Sequence, residues 1–191
     1  MSRFEPAPGE LGRLIDAAPL AWIVPQAEPQ AAILMPVVRE RASERLLGHL
    51  PRRHRAAQAL GAGGRAQLLF LGPHGFVSND VAGVDDWAPT WNFAAASLEA
   101  DIALDAALTD RALAATVAHL EPTWTAARMG PRYAALAAQV IGFSATIVTA
   151  HPRFKLGQDE RPEVRARIIA AFAGTPLGEW MESAAPRDGS G

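Results

Sequence analysis

Two stretches of the chain gather side chains able to bind and orient a ligand. One is Leu68 to Asn92, LLFLGPHGFVSNDVAGVDDWAPTWN. His74, Ser78, Thr90 and Asn92 offer hydrogen bonds there, and Trp91 offers a flat ring. They follow an apolar run bounded by turn residues, the pattern of a strand buried on both faces. A planar ligand with polar edges suits that mixture better than a purely structural turn. The other stretch is Pro51 followed by Arg52, Arg53, His54 and Arg55. Pro is favoured in the first turn of a helix, where its missing N–H is no loss, so these residues are expected at a helix start. Free N–H groups and a partial positive charge make such an end a standard place for a phosphate, and a solvated basic turn is the competing reading.

Elsewhere the chemistry thins out. Without Cys there is no disulfide framework, thiolate metal site or cysteine nucleophile. His49 and His54 lie five apart, the wrong spacing for two metal ligands on one helix face, and no carboxylate motif lies nearby. Asp85 and Asp86 fall in a loop expected to be mobile, and Asp159 and Glu160 precede a helix start, where acids are ordinarily stabilising. His49 and His74 are the candidates for proton transfer, and both read better as hydrogen-bonding partners of loop backbone or ligand. Whether the protein is an enzyme stays open at this point.

At 191 residues, with 49% hydrophobic residues and a formal net charge of −2, the composition is that of a globular domain with a real core. The small net charge argues against a protein whose main work is gripping nucleic acid. One Lys stands against seventeen Arg, a coding bias that lowers the weight of any single Arg. The basic group Arg39, Arg41, Arg45, Arg52, Arg53 and Arg55 has no helix-turn-helix pattern beside it. No apolar run approaches a membrane span and the N-terminus lacks a signal-peptide pattern, so a cytoplasmic protein is expected.

The elements that must hold these residues follow from periodicity. Leu11, Leu14 and Ile15 mark a helix over Glu10–Ala18, stopped by Pro19. Leu20 to Pro25 and Ala31 to Val37 read as a hairpin, with Pro36 putting the second strand near its end or on an edge. Glu44 to Leu50 is a third strand; if Leu46, Gly48 and Leu50 face inward, Arg45, Leu47 and His49 line the other side. Arg65 to Leu71 is the most apolar strand, closed by the turn Gly-Pro-His-Gly. Thr90 to Leu104 is a long strand in which Leu98, Ala100, Ile102 and Leu104 share a face; counting back places Thr90 and Asn92 on that face and Trp91 opposite, unless a bulge intervenes. Ala94, Ala95 and Ala96 either admit a close neighbour or are simple infill. Thr109 caps a helix to Leu120 with Leu113, Val117 and Leu120 buried, and a second helix spans Met129 to Gln139. Val140 to Thr149 is a strand, His151-Pro152 a turn, and Pro162 opens a last helix through Val164, Ile168 and Phe172. One domain over residues 1–173 is expected, with 174–191 a tail on which Trp180 and Met181 could dock.

In this order, LLGHL with a basic helix start, LLFLGPHGFVS, APTWNFAA, and VIGFSATIV with RFKLGQDERPEVR resemble the PaiB-type FMN-binding proteins, often described as negative transcriptional regulators. The resemblance runs from about Leu11 to Phe172. It implies a mainly β fold with peripheral helices, an antiparallel split β-barrel. It also implies a homodimer with FMN held at the subunit interface by residues of both chains. Carried over by position, it puts His49, Arg52 and Arg53 near the flavin phosphate and ribityl chain, with Thr90, Trp91 and Asn92 on the interface side. Lys155 and Gln158 keep two positions of a late motif, Lys155 as a cation at either the N1–C2 edge of the flavin or the phosphate. With His54 and Ser78 from the two stretches above, these form the candidate site.

The chain departs from the family pattern at Ile33-Leu34-Met35-Pro36, His54-Arg55, Asn79-Asp80-Val81 and Lys155-Leu156-Gly157-Gln158-Asp159. Three outcomes are compatible with those changes: retained FMN with an oxidoreductase-like or sensory role, a different flavin-type ligand or weakened binding, and a barrel without cofactor that serves as an interaction module. A transcriptional role is the family's other implication. The lack of a strongly basic helix argues against direct DNA reading.

Overall fold

A computed structural model describes residues 4–40, 43–61 and 63–184. Six strands, β1 (Leu20–Pro25), β2 (Ile33–Arg39), β3 (Leu46–Pro51), β4 (Gly64–Val77), β5 (Thr90–Asp105) and β6 (Val140–Lys155), form a closed barrel in the order β1-β2-β3-β6-β5-β4. Among the described residues seven α-helices accompany them: α1 (Glu10–Ala17), α2 (Arg55–Leu60), α3 (Asn79–Ala82), α4 (Thr109–Leu120), α5 (Pro131–Ala137), α6 (Pro162–Ala171) and α7 (Pro176–Ser183). The fold is thus the mainly β, antiparallel barrel with helices that the motifs imply. None of the described helices is long and apolar enough to cross a membrane.

The chain divides into two compact units. The larger comprises Gly9–Phe70 and Ala96–His151, the smaller Met1–Pro8, Leu71–Ala95 and Pro152–Gly191. In the larger unit the registers Ile23↔Ile33, Ala21↔Phe70, Val37↔Gly48 and Gly48↔Phe143 set apolar residues opposite one another across the strands. Ala21, Ile23, Val37, Leu46, Leu50, Leu68, Phe70, Leu98, Ala100, Phe143 and Ala145 are all buried. Gly48 is required there, because a Cβ would lie 2.4 Å from Phe143 Cζ. On the other face of β3, Leu47 packs with Val38 of β2 and Ala112 of α4.

That helix turns a different side to the sheet than its largest residues suggest. Thr109, Ala112 and Thr116 are buried, whereas Leu120 is exposed. The cause is a close approach. A Cβ on Gly142 would lie 2.6–2.7 Å from the backbone of Leu108 and Thr109, and Thr109 Oγ1 accepts the Gly142 N–H at 3.1 Å. Only small side chains fit a helix that begins so near a strand. Leu113 and Val117 line instead a cleft of about 190 Å³ with Trp124 and Tyr133.

Two expected turns are strand. Gly-Pro-His-Gly lies inside β4 and His151-Pro152 lies inside β6. A Pro removes one N–H from a ladder without breaking the strand where no partner needs that donor. Burial along β4 shifts phase at this point, with Leu71 and then His74 and Phe76 exposed. The expected loop after Val77 holds α3, capped by Ser78 Oγ at 3.3 Å from Val81 N and ended by Gly83 at φ 68°. The following loop is pinned: Asn79 Nδ2 donates to the Trp87 carbonyl at 2.6 Å, and Trp87 Nε1 donates to Glu160 at 3.0 Å. Past Gly174, α7 buries Leu177, Gly178, Trp180 and Met181, so Trp180 and Met181 are held as part of a helix. Residues 185–191 and Arg41 lie outside the described residues.

Replacing Gly142 by Ala forces the start of α4 away from β6. We expect a loss of roughly 1–3 kcal/mol in urea unfolding, as overpacked sites show. An unchanged midpoint would mean that the contact yields freely.

Candidate functional site

The candidate residues divide between the units. In the larger unit, Pro51 closes β3 rather than opening a helix, and α2 begins only at Arg55. Arg52 and Arg53 therefore stand in the turn before the helix, and His54 is its N-cap. His54 Nδ1 accepts the Ala56 N–H at 3.1 Å, which fixes the neutral ring with its hydrogen on Nε2. Arg52 is tied to the segment after α5: its N–H donates to the Gln139 carbonyl at 2.9 Å and its Nε to the Ala138 carbonyl at 3.1 Å. Arg52 and Arg53 are both exposed. Arg55 is paired with Glu28.

His49 lies on β3 directly across from Gly142, beside the contact with the start of α4. Its Nδ1 is buried and has no hydrogen-bond partner. Burial pushes the imidazole pKa below its ordinary value, since the charged form loses hydration. A buried polar atom without a partner costs free energy that a donor or acceptor from a ligand would recover.

In the smaller unit, Lys155 donates to Thr90 Oγ1, joining the ends of β6 and β5. Asn92 is 2% exposed and its amide meets Met181 Sδ at 3.7 Å. Gln158 is buried, its Nε2 donating to the Phe154 carbonyl at 2.5 Å and its Oε1 accepting the Leu156 N–H at 2.6 Å. Both side chains of Gln158 and Asn92 are thus occupied by the fold, and Ser78 is occupied by its cap. Trp91 points the other way and is 52% exposed. Its ring centroid lies 6.0 Å from that of His74 and 5.9 Å from that of Phe76. Phe76 carries no signal of its own if Gly-Pro-His-Gly is a turn, the conformation its composition suggests. Once that segment is strand, the His-x-Phe spacing puts both rings on one face.

A flavin nucleotide asks for cationic groups at its phosphate, hydrogen-bonding groups along its edge and an apolar surface for its ring. Each unit holds groups of these kinds: exposed Arg52 and Arg53 and the unpartnered Nδ1 of His49 in the larger, and the exposed indole of Trp91 in the smaller. Among the described residues no cluster of His, Cys, Asp and Glu could hold a metal ion.

Residues 2–149 match the family described as "Putative FMN-binding domain", and the chain belongs to that family. The match includes His49 through Asn92 of the candidate site and leaves Lys155 and Gln158 beyond it. The fold is similar to the flavocytochrome Anf3 from Azotobacter vinelandii, with TM-score 0.62 and 20% identity over 81% of this chain and 72% of that one. It is similar to the FAD and heme binding protein from Mycobacterium smegmatis, with TM-score 0.59 and 16% identity over 81% and 74%. It is also similar to the conserved hypothetical protein Rv2991 from Mycobacterium tuberculosis, with TM-score 0.60 and 12% identity over 82% and 91%. No curated protein matches in sequence.

The depressed pKa of His49 makes a signed prediction. The unfolded chain takes up a proton near the ordinary histidine value of about 6.5, and the folded protein does so only at lower pH. Stability therefore falls as pH drops through that window and is insensitive to His49 above it. Urea unfolding of His49→Gln should show a flatter pH dependence than wild type between about pH 7 and pH 5. Parallel curves would mean that His49 titrates normally.

Proposed function

We propose that the protein is a cytoplasmic, PaiB-type homodimer that binds FMN for an oxidoreductase-like or sensory role. Membership of the family across residues 2–149 carries this reading. A bound flavin supplies hydride and single-electron transfer. The chain's own part is to hold and orient it. Arg52 and Arg53 meet the phosphate, and His49 supplies a hydrogen bond from its unsatisfied nitrogen. Lys155 places a positive charge at the N1–C2 edge of the ring or at the phosphate. Thr90 keeps the Lys155 ammonium in place, Ser78 and Gln158 support the backbone around the site, and Asn92 holds the Met181 side chain.

The second copy has a surface to meet. On the outer face of the larger unit Trp22 stands directly between Leu34 and Leu69, and Leu20 faces Pro36. Leu20, Trp22, Leu34 and Leu69 are 51%, 49%, 41% and 36% exposed, an apolar patch whose members the strand pairing sets side by side. The ion pairs of Arg65 with Glu99 and Asp101 lie towards one end of β4, giving a polar border of the kind interfaces have.

The regulatory reading is the alternative, and two arginines of the basic group are already engaged: Arg39 with Asp16 and Arg55 with Glu28. That leaves less positive surface for phosphates of duplex DNA, and a regulatory effect through metabolism fits as well. A salt-dependent shift of duplex DNA by the purified protein would favour direct contact, and none at low salt would count against it.

Freshly purified protein should carry a yellow chromophore identified as FMN on heat release, or take up added FMN saturably. Colourless protein with no affinity for FMN would leave the interaction-module reading standing instead. Wild type should sediment as a dimer and Trp22→Glu as a folded monomer by analytical ultracentrifugation. A wild-type monomer removes the dimer from the account, and a dimeric Trp22→Glu removes this face from it.

A further inference from the structure

Resting on the flavin reading above, the geometry points to the exposed face of Trp91, flanked by Phe76 and His74, as the platform on which the isoalloxazine ring stacks. The three side chains share one face of the ends of β4 and β5. The opposite face is covered: a Cβ on Gly75 would lie 2.8 Å from Leu177 and Phe172, and Asn92 reaches Met181 of α7. Trp91 and Phe76 are left 52% and 49% exposed. An aromatic side chain can bury about 150–250 Å², so each ring keeps a large part of its burial unused.

Neither neighbour covers the indole. His74 is tilted 33° to it at 6.0 Å and Phe76 57° at 5.9 Å. With both rings at those separations Trp91 still keeps about half of its surface exposed, which leaves room for a flat partner. A tricyclic, electron-poor ring on an electron-rich indole is the favourable pairing for such a face.

His74 adds an edge. Its Nδ1 lies 2.9 Å from the Gly72 carbonyl. A carbonyl only accepts, so in the neutral ring Nδ1 carries the hydrogen and Nε2 is an acceptor. The imide edge of isoalloxazine presents an N–H between two carbonyls, and an acceptor matches it. A planar ligand without an N–H on its edge gains nothing from His74. An aromatic face beside an acceptor suits the flavin ring system, whichever phosphate tail it carries.

The test is titration of FMN into wild type, Trp91→Leu and Trp91→Phe, reading bound flavin by equilibrium dialysis and flavin emission in the same samples. Stacked on indole, bound FMN loses most of its emission. Trp91→Leu is expected to bind roughly tenfold more weakly, the size of a lost stacking contact. Trp91→Phe keeps a ring and is expected to bind within about threefold of wild type with brighter flavin. Wild type that takes up no FMN overturns the flavin reading and this inference with it. Wild type that binds FMN as bright as the free nucleotide, with both variants unchanged in affinity, overturns the platform alone. So does a Trp91→Leu protein that falls from dimer to monomer with its flavin content unchanged, since the face would then serve the second copy. If Trp91→Leu does not fold, Trp91→Phe decides: emission equal to that of wild type overturns the platform.

Discussion

Along β5, alternation of side chains holds without a bulge. Asn92, Ala94, Ala96, Leu98, Ala100 and Ile102 are buried, and the residues between them are not. Side chains on a strand have a period of two, so a slip of one position would exchange every residue's face. That constraint puts Asn92 inside against Met181 and turns Trp91 out. The strand cannot bury its aliphatic residues and its indole together. Trp91 is exposed because Leu98 is buried, and the chemistry of the exposed ring follows from the packing requirement of the core.

The helices obey a second geometric demand, that of close approach. Gly142 admits the start of α4 in the larger unit, and Gly75 admits Leu177 and Phe172 in the smaller. In each place the lost side chain brings a helix near enough for a specific consequence. Beside Gly142, His49 becomes half-buried and its Nδ1 goes without a partner. Beside Gly75, helices cover one face of β4, so His74 and Phe76 must occupy the other. Glycine thereby decides which polar and aromatic groups remain available to a ligand.

The strands and their facing were legible in the sequence because burial on one side writes alternation directly. β1, β3, β5 and the first part of β6 lie close to where periodicity put them, and the inward set Leu46, Gly48 and Leu50 was recoverable in full. The failures have physical causes. Pro73 and Pro152 signal turns locally, but long strands carry through them where the ladder can spare a donor. The buried stripe of α4 was sought among Leu113, Val117 and Leu120, while close approach to Gly142 selects Thr109, Ala112 and Thr116. α3 is four residues long, too short for any periodicity to show. Of the candidate site, the ring at Trp91 and the arginines were readable by type. That Asn92 and Gln158 are consumed by internal hydrogen bonds depends on neighbours distant in sequence, Met181 for one and a tight local loop for the other.

The family is described as a putative FMN-binding domain, and the proposal made above puts the flavin ring on Trp91 of the smaller unit. The most direct measurement is the two-dimensional amide and indole NMR spectrum of protein labelled with ¹⁵N at its five Trp residues, recorded as FMN is added. If the flavin ring stacks on Trp91, the indole N–H signal of Trp91, assigned by its loss in Trp91→Phe, shifts saturably, while that of Trp180, buried on the inner side of α7, stays in place. Saturable FMN binding that leaves the Trp91 signal unmoved would contradict that stacking.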